Sequence, residues 1–411
     1  MEFNSPLSFC CVAACAFTAP QAVAQSAQVK VTVTNLGTTA RHELVAVDAE
    51  LIRQRLNVSD TAQLVVLGTF GQQIDYQLTY DGQLLIDAAV LPISKAEYRI
   101  TTGTPRQAQR YAEGAVYPQR LDDLAWENDH CAYRLYGPAL QRKGERSYGI
   151  DVWTKSCPQP VIAQRYRRHL DGNRQADSLR KAGQKETAGK VRTETSFHID
   201  HGNGMDGYGV GPTLGCGAPA LVIDGQMQMP WCYERCTILD NGPLRFTAEL
   251  TYPTTASGIT EHRRIQLDKG SRFCRMTVWY DGLKQPVALV AGVVLHGGEP
   301  VLAKDYVLYA DPTEKPRQYQ SQIFVATLFP EGVDNTCTME NATPHSDHRS
   351  ENAEGYTHAV GKVDNYNGQP FTYYFGAAWS LYDVQSMAHW QLCAEDFLTA
   401  LKQPLELRIT N

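Results

Sequence analysis

Alternation of apolar and polar residues with a period of two recurs along this chain and constrains its fold more than any other feature. The clearest run extends from Arg245 to Tyr252, where every second residue is apolar, and Cys274 to Tyr280 and Leu405 to Thr410 repeat the pattern. This period is typical of half-buried antiparallel strands. Helical periodicity is confined to short stretches near residues 44–56 and 396–401. The sequence therefore predicts a mainly β protein.

The length and internal organisation of the chain favour a large sandwich. With 411 residues, 43% hydrophobic and 20% charged, the chain has the composition of a globular protein with a sizeable core. Self-similarity over about 20 to 50 residues is missing, which disfavours propellers and solenoids. Turn-forming and polar residues interrupt the strand pattern from Thr101 to Gln109. We therefore predict a small N-terminal β-sandwich over residues 25–104, followed by a main antiparallel β-sandwich over residues 105–411.

The first 24 residues have the features of a secretory signal peptide. An apolar run from Phe9 to Phe17 precedes the small residues Ala22, Val23 and Ala24, so we expect cleavage after Ala24 and a periplasmic or secreted location. The basic residues that usually begin such a peptide are missing, and a lipoprotein processing site at Cys15 is the competing interpretation.

The net charge of -6 disfavours a nucleic-acid partner. No segment after Gln25 is apolar enough over a sufficient length to span a bilayer.

Eight cysteines follow the predicted signal peptide. An even number in an exported protein is compatible with disulfides. Structural zinc is disfavoured because only Cys232 and Cys236 are closely spaced, without a second pair or a histidine at ligand spacing.

Residues 196–220, the glycine-rich segment, contain seven glycines and almost no aliphatic residues. Glycine at this density lets the backbone take positive φ angles or allows a ligand to approach closely. The titratable side chains here are His198, Asp200, His201, Asp206 and Tyr208. Such a concentration predicts catalysis, whereas the alternative is that the histidines only brace a turn. The same nitrogen and oxygen atoms could bind a divalent metal, but their spacing matches neither the zinc-protease nor the calcium-loop motif, so we predict no cofactor.

A second dense segment extends from Leu124 to Pro138. Arg134 and Tyr136 are two residues apart in a predicted strand and therefore point to the same face. The planar guanidinium of Arg134 is a candidate clamp for a substrate carboxylate, and a structural ion pair with Glu127 or Asp129 is the alternative. The predicted substrate-binding residues are Trp126, Glu127, Asn128, Arg134, Tyr136 and, on a later strand, His262.

The stretch from Arg165 to Arg192 is polar and rich in Arg and Lys, with no apolar face of useful width. Such a stretch usually forms a solvated loop or a surface helix. The alternative is a mobile lid whose cations attract an anionic substrate, because the stretch leads directly into the glycine-rich segment.

Five segments together resemble a known family. They are AWENDHCAYRLYGPAL, GIDVWTK, FHIDHGNGMDGYGVGPTLGCGAPAL, TILDNGPLRFTAELTY and AAWS, in this order. They resemble the exported bacterial domain-of-unknown-function 4861 family, over nearly the whole chain after Thr101. The resemblance implies a galactose-mutarotase-like β-supersandwich and a place in polysaccharide degradation. It also implies action on acidic oligosaccharides, including dehydration of a terminal uronic acid, although fold analogy alone does not fix a reaction.

The residue types fit β-elimination from a uronic acid. That reaction needs a base for the C5 proton, a cation or hydrogen-bond donors for the carboxylate, and an acid for the leaving oxygen. We assign these roles to His201, Arg134 and Tyr208, with Asp200 or Asp206 orienting the histidine. The sequence thus predicts a carbon–oxygen lyase or dehydratase. A glycoside hydrolase on acidic oligosaccharides and a carbohydrate-binding or epimerase-like protein are the alternatives.

Overall fold

The computed structural model describes residues 27–229, 231–312, 321–341 and 355–411; the predicted signal peptide lies outside these ranges. The elements in chain order are β1 Val29–Asn35, β2 Arg41–Asp48, α1 Ala49–Leu56, β3 Leu64–Leu67, β4 Gln73–Ile74, β5 Tyr76–Leu78, β6 Gln83–Val90, β7 Ser94–Thr102, β8 Glu113–Tyr117, β9 Asp123–Glu127, β10 Ala132–Leu135, α2 Pro138–Arg142, β11 Ile150–Trp153, α3 Ile162–Lys181, α4 Lys185–Thr195, β12 Cys216–Ile223, β13 Gln226–Gln228, β14 Arg235–Gly242, β15 Arg245–Thr251, β16 Thr260–Asp268, β17 Phe273–Asp281, β18 Val287–Val294, β19 Val301–Ala303, β20 Tyr306–Asp311, β21 Ile323–Leu328, β22 Asn335–Asn341, β23 Tyr356–Tyr366, β24 Phe371–Trp379, α5 Met387–Lys402 and β25 Glu406–Thr410.

A small β-sandwich forms at the N-terminal end of the described chain. Its two sheets have the strand orders β25-β1-β7-β3-β4 and β2-β6-β5. Alternation in β1 buries Val29, Val31 and Val33 completely, and these valines pack into a core shared by both sheets and α1. The edge strand β25 comes from the other end of the chain and pairs antiparallel with β1, so this sandwich is not built from residues 25–104 alone.

The main body is the mainly β supersandwich that the sequence and the resemblance predict. One layer is an eight-stranded antiparallel sheet, β14-β15-β16-β17-β24-β21-β20-β19. The opposite layer combines β13-β12-β18-β23-β22 with β11-β10-β9-β8, and a bridge between Ile150 and Gly215 connects the two parts. Apolar side chains from both layers, including Phe246, Ile265 and Val293, form one continuous core between them.

The helices lie outside these layers. The stretch from Arg165 to Arg192 forms most of α3 and α4, so the expected surface helix is present as an antiparallel pair. The region 44–56 is helical only from Ala49, because it belongs to β2 up to Asp48, whose side chain then caps α1 by accepting from the Leu51 N–H. None of the described helices is long and apolar enough to cross a membrane. All cysteines in the described ranges are free thiols.

Candidate functional site

The glycine-rich segment follows α4 and runs along the end of the β8–β11 sheet before it enters β12. The Oγ1 and backbone N–H of Thr154, just after β11, both donate to the Met205 carbonyl, and Asp200 accepts from the N–H groups of Gly202 and Gly204. Gly204 has a φ of +97°, and a Cβ there would lie 2.1 Å from the Thr154 carbonyl oxygen. The segment therefore needs glycine at this position in order to approach β11 closely.

Arg134 lies at the centre of a buried ion cluster. Its Nη2 is 2.5 Å from Asp151 Oδ2 and 3.1 Å from Asp206 Oδ2, and the three side chains are 7%, 0% and 3% exposed. Burial alone would lower the pKa of Arg134, but Asp151, Tyr136 and Asp206 raise it well above the usual value, so the guanidinium stays charged. Burial also raises the pKa of Asp151. The cluster joins β10, β11 and the glycine-rich segment in one network.

This arrangement corrects the sequence interpretation of Arg134. The predicted ion pairs with Glu127 or Asp129 are replaced by pairs with Asp151 and Asp206. The guanidinium also donates to the Tyr136 hydroxyl at 3.4 Å and lies over the rings of Tyr136 and Trp153. Because two carboxylates already contact this nearly buried cation, Arg134 is poorly placed to clamp a substrate carboxylate.

His198 connects the cluster to the surface. Its Nδ1 lies 3.3 Å from the carbonyl oxygen of Asp206 and 3.4 Å from the Oδ2 of the same residue, while the imidazole is 43% exposed. Asp206 therefore contacts Arg134 on its buried side and His198 on its exposed side. A carboxylate in this position orients the imidazole.

A second histidine and aspartate pair lies near Tyr208. The Nδ1 of His296 is 2.6 Å from Asp311 Oδ2, and the His296 ring is 6.0 Å from the Tyr208 ring. Tyr208 is only 2% exposed, and its hydroxyl has no hydrogen-bond partner within the described part of the chain. Burial raises the pKa of Tyr208 well above its usual value, and the carboxylates of Asp311 and Asp151 raise it further. Tyr208 thus packs beside the His296 pair.

A further histidine, His358, contacts the backbone just before β12. The side chain is completely buried, and its Nε2 accepts the Leu214 N–H at 3.2 Å. Burial lowers the pKa of His358 to about 4, so the ring is neutral at physiological pH. This histidine supports the backbone at the start of β12.

His201 occupies a different place from the one predicted. The side chain is exposed, and its Nε2 donates to the Ser196 carbonyl at 2.9 Å. Among the described residues, the structure joins His198, and not His201, to Asp206 and thereby to Arg134. The glycine-rich segment and Arg134 do meet, as the sequence suggests, but through a different histidine.

Three of the predicted substrate-binding residues lie in the interior. Trp126 is fully buried and stacks against Tyr133 and Phe246. Glu127 accepts from Lys155 at 2.7 Å and from the N–H groups of Val161 and Ile162 at the start of α3. The next residue, Asn128, donates to the carbonyls of Asp268 and Ser271. These side chains hold elements together and face no open surface on which a sugar could bind.

His262 lies elsewhere, in the eight-stranded sheet. Its Nε2 is 3.0 Å from Asp281 Oδ2, and its ring stacks on Trp279 with a centroid separation of 5.1 Å. No contact within the described ranges links His262 to the His198 or His296 pair.

The possible metal ligands do not converge. His198 and Asp206 are in contact, whereas Asp200 shapes the glycine turn and His201 contacts Ser196. In the part of the chain that the structure describes, no three His, Cys, Asp or Glu side chains are grouped closely enough to hold a metal ion. The prediction that the protein needs no cofactor stays a prediction.

The sequence interpretation missed Asp151, Asp311 and the pairing of His296. Asp151 is an acidic residue within the apolar strand Ile150–Trp153, and an isolated charge in such a strand is itself an indication of a buried partner. His296 lies between the end of β18 and two glycines. Its partner Asp311 is on β20, and no local sequence pattern connects the two residues.

Comparisons with known proteins identify relatives of the chain. The model of the family described as "Domain of unknown function (DUF4861)" matches residues 33–407. The "Uncharacterized protein P7" of Formosa agariphila is 25% identical over 371 residues, which cover 86% of this chain and 84% of that protein.

Two solved structures from Enterococcus faecalis are also similar. A protein in the Glycosyl Hydrolase Family 38 is 9% identical with a TM-score of 0.48, and the match covers 94% of this chain and 48% of that one. An alpha-mannosidase is 9% identical with a TM-score of 0.49, and the match covers 94% of this chain and 46% of that one. The chain spans about half the length of these two proteins.

Proposed function

This chain belongs to the DUF4861 family, and from the geometry of its site we propose that it is a carbohydrate-active lyase. The reaction is β-elimination from an oligosaccharide that contains uronic acid. Either water leaves a terminal residue or a sugar leaves from within the chain. Action on acidic oligosaccharides is also what the resemblance of the five sequence segments implies.

The observation that carries the proposal is the pair of partly exposed histidines, each held by a buried aspartate. His198 contacts Asp206, and His296, whose ring lies beside that of Tyr208, contacts Asp311. In this proposal the Nδ1 of His198 faces Asp206, and its Nε2 takes the C5 proton of the uronic acid. Asp206 then stabilises the imidazolium that forms.

His296 is the matching proton donor in this proposal. Its Nδ1 faces Asp311, and in this role its Nε2 donates a proton to the leaving oxygen. Tyr208 is too buried to reach a substrate in the present conformation. It therefore acts as a positioning residue that packs beside the His296 ring, and not as the acid that the sequence suggested.

A hydrolase fits the geometry less well. Hydrolases need two carboxyl groups that flank the glycosidic bond, about 5–5.5 Å apart in retaining enzymes. Asp151 and Asp206 are close together because both contact the same nitrogen of Arg134. Both are buried, however, and both contact that cation, so they cannot flank a sugar.

The test is product analysis with glucuronate-terminated oligosaccharides. We expect a new conjugated double bond, seen as ultraviolet absorbance, and a product mass lower by one water when a terminal hydroxyl leaves. His198→Ala is expected to lower kcat by roughly 10²- to 10⁴-fold, because general base catalysis contributes that much. His389→Ala, which changes an exposed histidine of α5, is the matched control and should keep full activity.

Two results would overturn the proposal. A product heavier by one water would identify a hydrolase, and binding without any product across a broad panel of uronates would identify a binding protein. Loss of turnover in His201→Ala with retention in His198→Ala would overturn the assignment of the base.

A further inference from the structure

A pocket lies between α3 and the glycine-rich segment, beside His198. Its cavity volume is about 30 Å³, which is room for one small group. Its polar lining comes from Arg165 and Arg168 on α3 and from Ser196, His201 and Asn203 on the other side. The two arginines are three residues apart and therefore neighbours on one face of the helix.

Arg165 is the unusual member of this lining because it is charged, buried and incompletely paired. The residue is only 6% exposed. Its Nη2 donates to the carbonyls of Thr154 and Asn203, and its Nε donates to Asn203 Oδ1 at 3.3 Å. Its Nη1 is buried and has no hydrogen-bond partner in the described part of the chain. A buried guanidinium nitrogen is costly to leave unsatisfied, so such an atom points to a missing acceptor.

The surroundings of Arg165 contrast with those of Arg134. Arg134 contacts two aspartates, whereas the hydrogen bonds of Arg165 within the described ranges all go to neutral oxygens. Burial lowers the pKa of Arg165 to about 10, because nearby carboxylates compensate the cation only in part. Arg168 adds a second positive charge, and its guanidinium donates to the Glu194 carbonyl.

The pocket is next to the proposed catalytic groups. The guanidinium carbons of Arg134 and Arg165 lie 5.3 Å and 5.8 Å from the centroid of the same Trp153 ring. Asp206, which contacts both Arg134 and His198, also raises the pKa of Arg165. A substrate that reaches His198 can therefore place a neighbouring group in the pocket.

We propose that this pocket is an anion subsite that binds an oxyanion of the substrate, either a sugar carboxylate or a sulfate ester. This inference rests on the proposed function and deepens it, because elimination from a uronic acid needs a cation or hydrogen-bond donors for the carboxylate, and Arg134 does not supply them. Arg165 is the natural donor for a planar or tetrahedral oxyanion, since Nη1 is uncommitted. In this proposal the basic stretch at residues 165–192 contributes to substrate binding through Arg165 and Arg168, which line the pocket.

The experiment measures binding to the full chain by calorimetry. The probes are a glucuronate-terminated trisaccharide, a sulfated trisaccharide without uronic acid, and a neutral trisaccharide of the same length. We expect Arg168→Gln to weaken binding of an anionic probe by roughly 10- to 100-fold, as for loss of one charge-assisted hydrogen bond, and to leave the neutral probe unaffected. Arg167→Gln is the matched control, because this neighbouring arginine is exposed and does not line the pocket.

Arg165→Met is the second variant and is expected to abolish the preference for anionic over neutral probes. Because Arg165 also holds the backbone of Thr154 and Asn203, circular dichroism must first show that the variant is folded. Preference for the carboxylate or for the sulfate probe identifies which oxyanion the pocket accepts.

The possible failures are distinguishable. Arginine-dependent binding of an anionic probe without turnover supports the subsite and contradicts the lyase. Turnover of a uronate by elimination, with affinity unchanged in both arginine variants, supports the lyase and overturns the subsite. Equal affinity of the unmodified protein for the neutral and anionic probes also overturns the subsite.

Discussion

Arg134 shows how one residue can take a different role from the one that its chemistry suggests. Its guanidinium is buried against Asp151 and Asp206, so it neutralises charges that would otherwise be uncompensated in the interior. Removing one partner of a buried ion network is far more damaging than removing an exposed ion pair. Substitution of Arg134 is therefore expected to destabilise the fold, whatever its effect on substrate binding.

We predict that Arg134→Met lowers the free energy of unfolding by about 3–5 kcal/mol, because two buried carboxylates lose their cation. Urea denaturation measures this directly. The control is Arg142→Met, because Arg142 is 69% exposed in its pair with Asp122 and its loss is expected to cost about 1 kcal/mol or less. Unchanged stability of Arg134→Met, together with a raised KM for a uronate, would show instead that Arg134 binds substrate.

The sequence predicted that Arg134 and the glycine-rich segment lie together, and the contact with Asp206 agrees with this. It could not predict which histidine would face the cluster. His198 and His201 are three residues apart in a segment without regular structure, and their directions depend on distant contacts. The Asp206 N–H donates to the Phe197 carbonyl and the Thr154 N–H donates to Met205, and neither bond leaves a local pattern.

At the scale of elements, the α3–α4 pair depends on a close approach of the two helices more than on the burial of apolar side chains. Few of its residues are buried, and one of these is Gly172, in the middle of α3. A Cβ at this position would lie 1.9 Å from Thr195 Oγ1, at the end of α4. The sequence predicted a polar surface element here correctly, but the contact between two helices across a turn was not evident from composition.

We predict that Gly172→Ala destabilises the pair by about 1–3 kcal/mol, because the added methyl overlaps Thr195. Gly189→Ala on α4 is the matched control. A Cβ there meets no described atom within 4 Å, so alanine is expected to stabilise the helix by about 0.5–1 kcal/mol. Hydrogen exchange across residues 185–195 separates the outcomes, and equal protection in both variants would contradict the prediction.

At the scale of the whole molecule, the fold class was the most predictable feature. The alternation of apolar and polar residues in strands such as Arg245–Thr251 indicates which face of the strand is buried, and it depends only on residues that are close in sequence. The pairing of β1 with β25 and the bridge between Ile150 and Gly215 join residues that are far apart in sequence. Such pairings depend on the packing of complete sheets and could not be predicted from a single sequence.

A polar contact between the small sandwich and the main body depends on pH. Asp87, on β6, contacts His42 at 2.8 Å and also Lys269 of the main body. The hydrogen bond to Asp87 raises the pKa of His42 above 6.5. Burial alone would raise the pKa of Asp87, but hydrogen bonds from His42 and Lys269 lower it below 3.8.

We predict that this contact stabilises the molecule most between about pH 4 and the raised pKa of His42. The stabilisation from His42 is fully present below pH 6.5 and is lost as the pH rises through the folded pKa of His42. The stabilisation from Asp87 is lost as the pH falls through the folded pKa of Asp87. His42→Gln is expected to reduce the loss of Tm between about pH 5 and pH 8 by on the order of 1 °C, because the side chain of His42 is 62% exposed. An identical pH dependence in both proteins would contradict this.

The pairing of β25 with β1 has a consequence for how the chain is made. A ribosome completes β1 long before β25, so the edge of β1 that β25 covers stays open while the chain between the two strands is made. An open strand edge presents unpaired backbone groups to any other strand nearby. The nascent chain is thus most exposed to intermolecular pairing until β25 has been made, and a chaperone that shields this edge would protect it until the sheet can close.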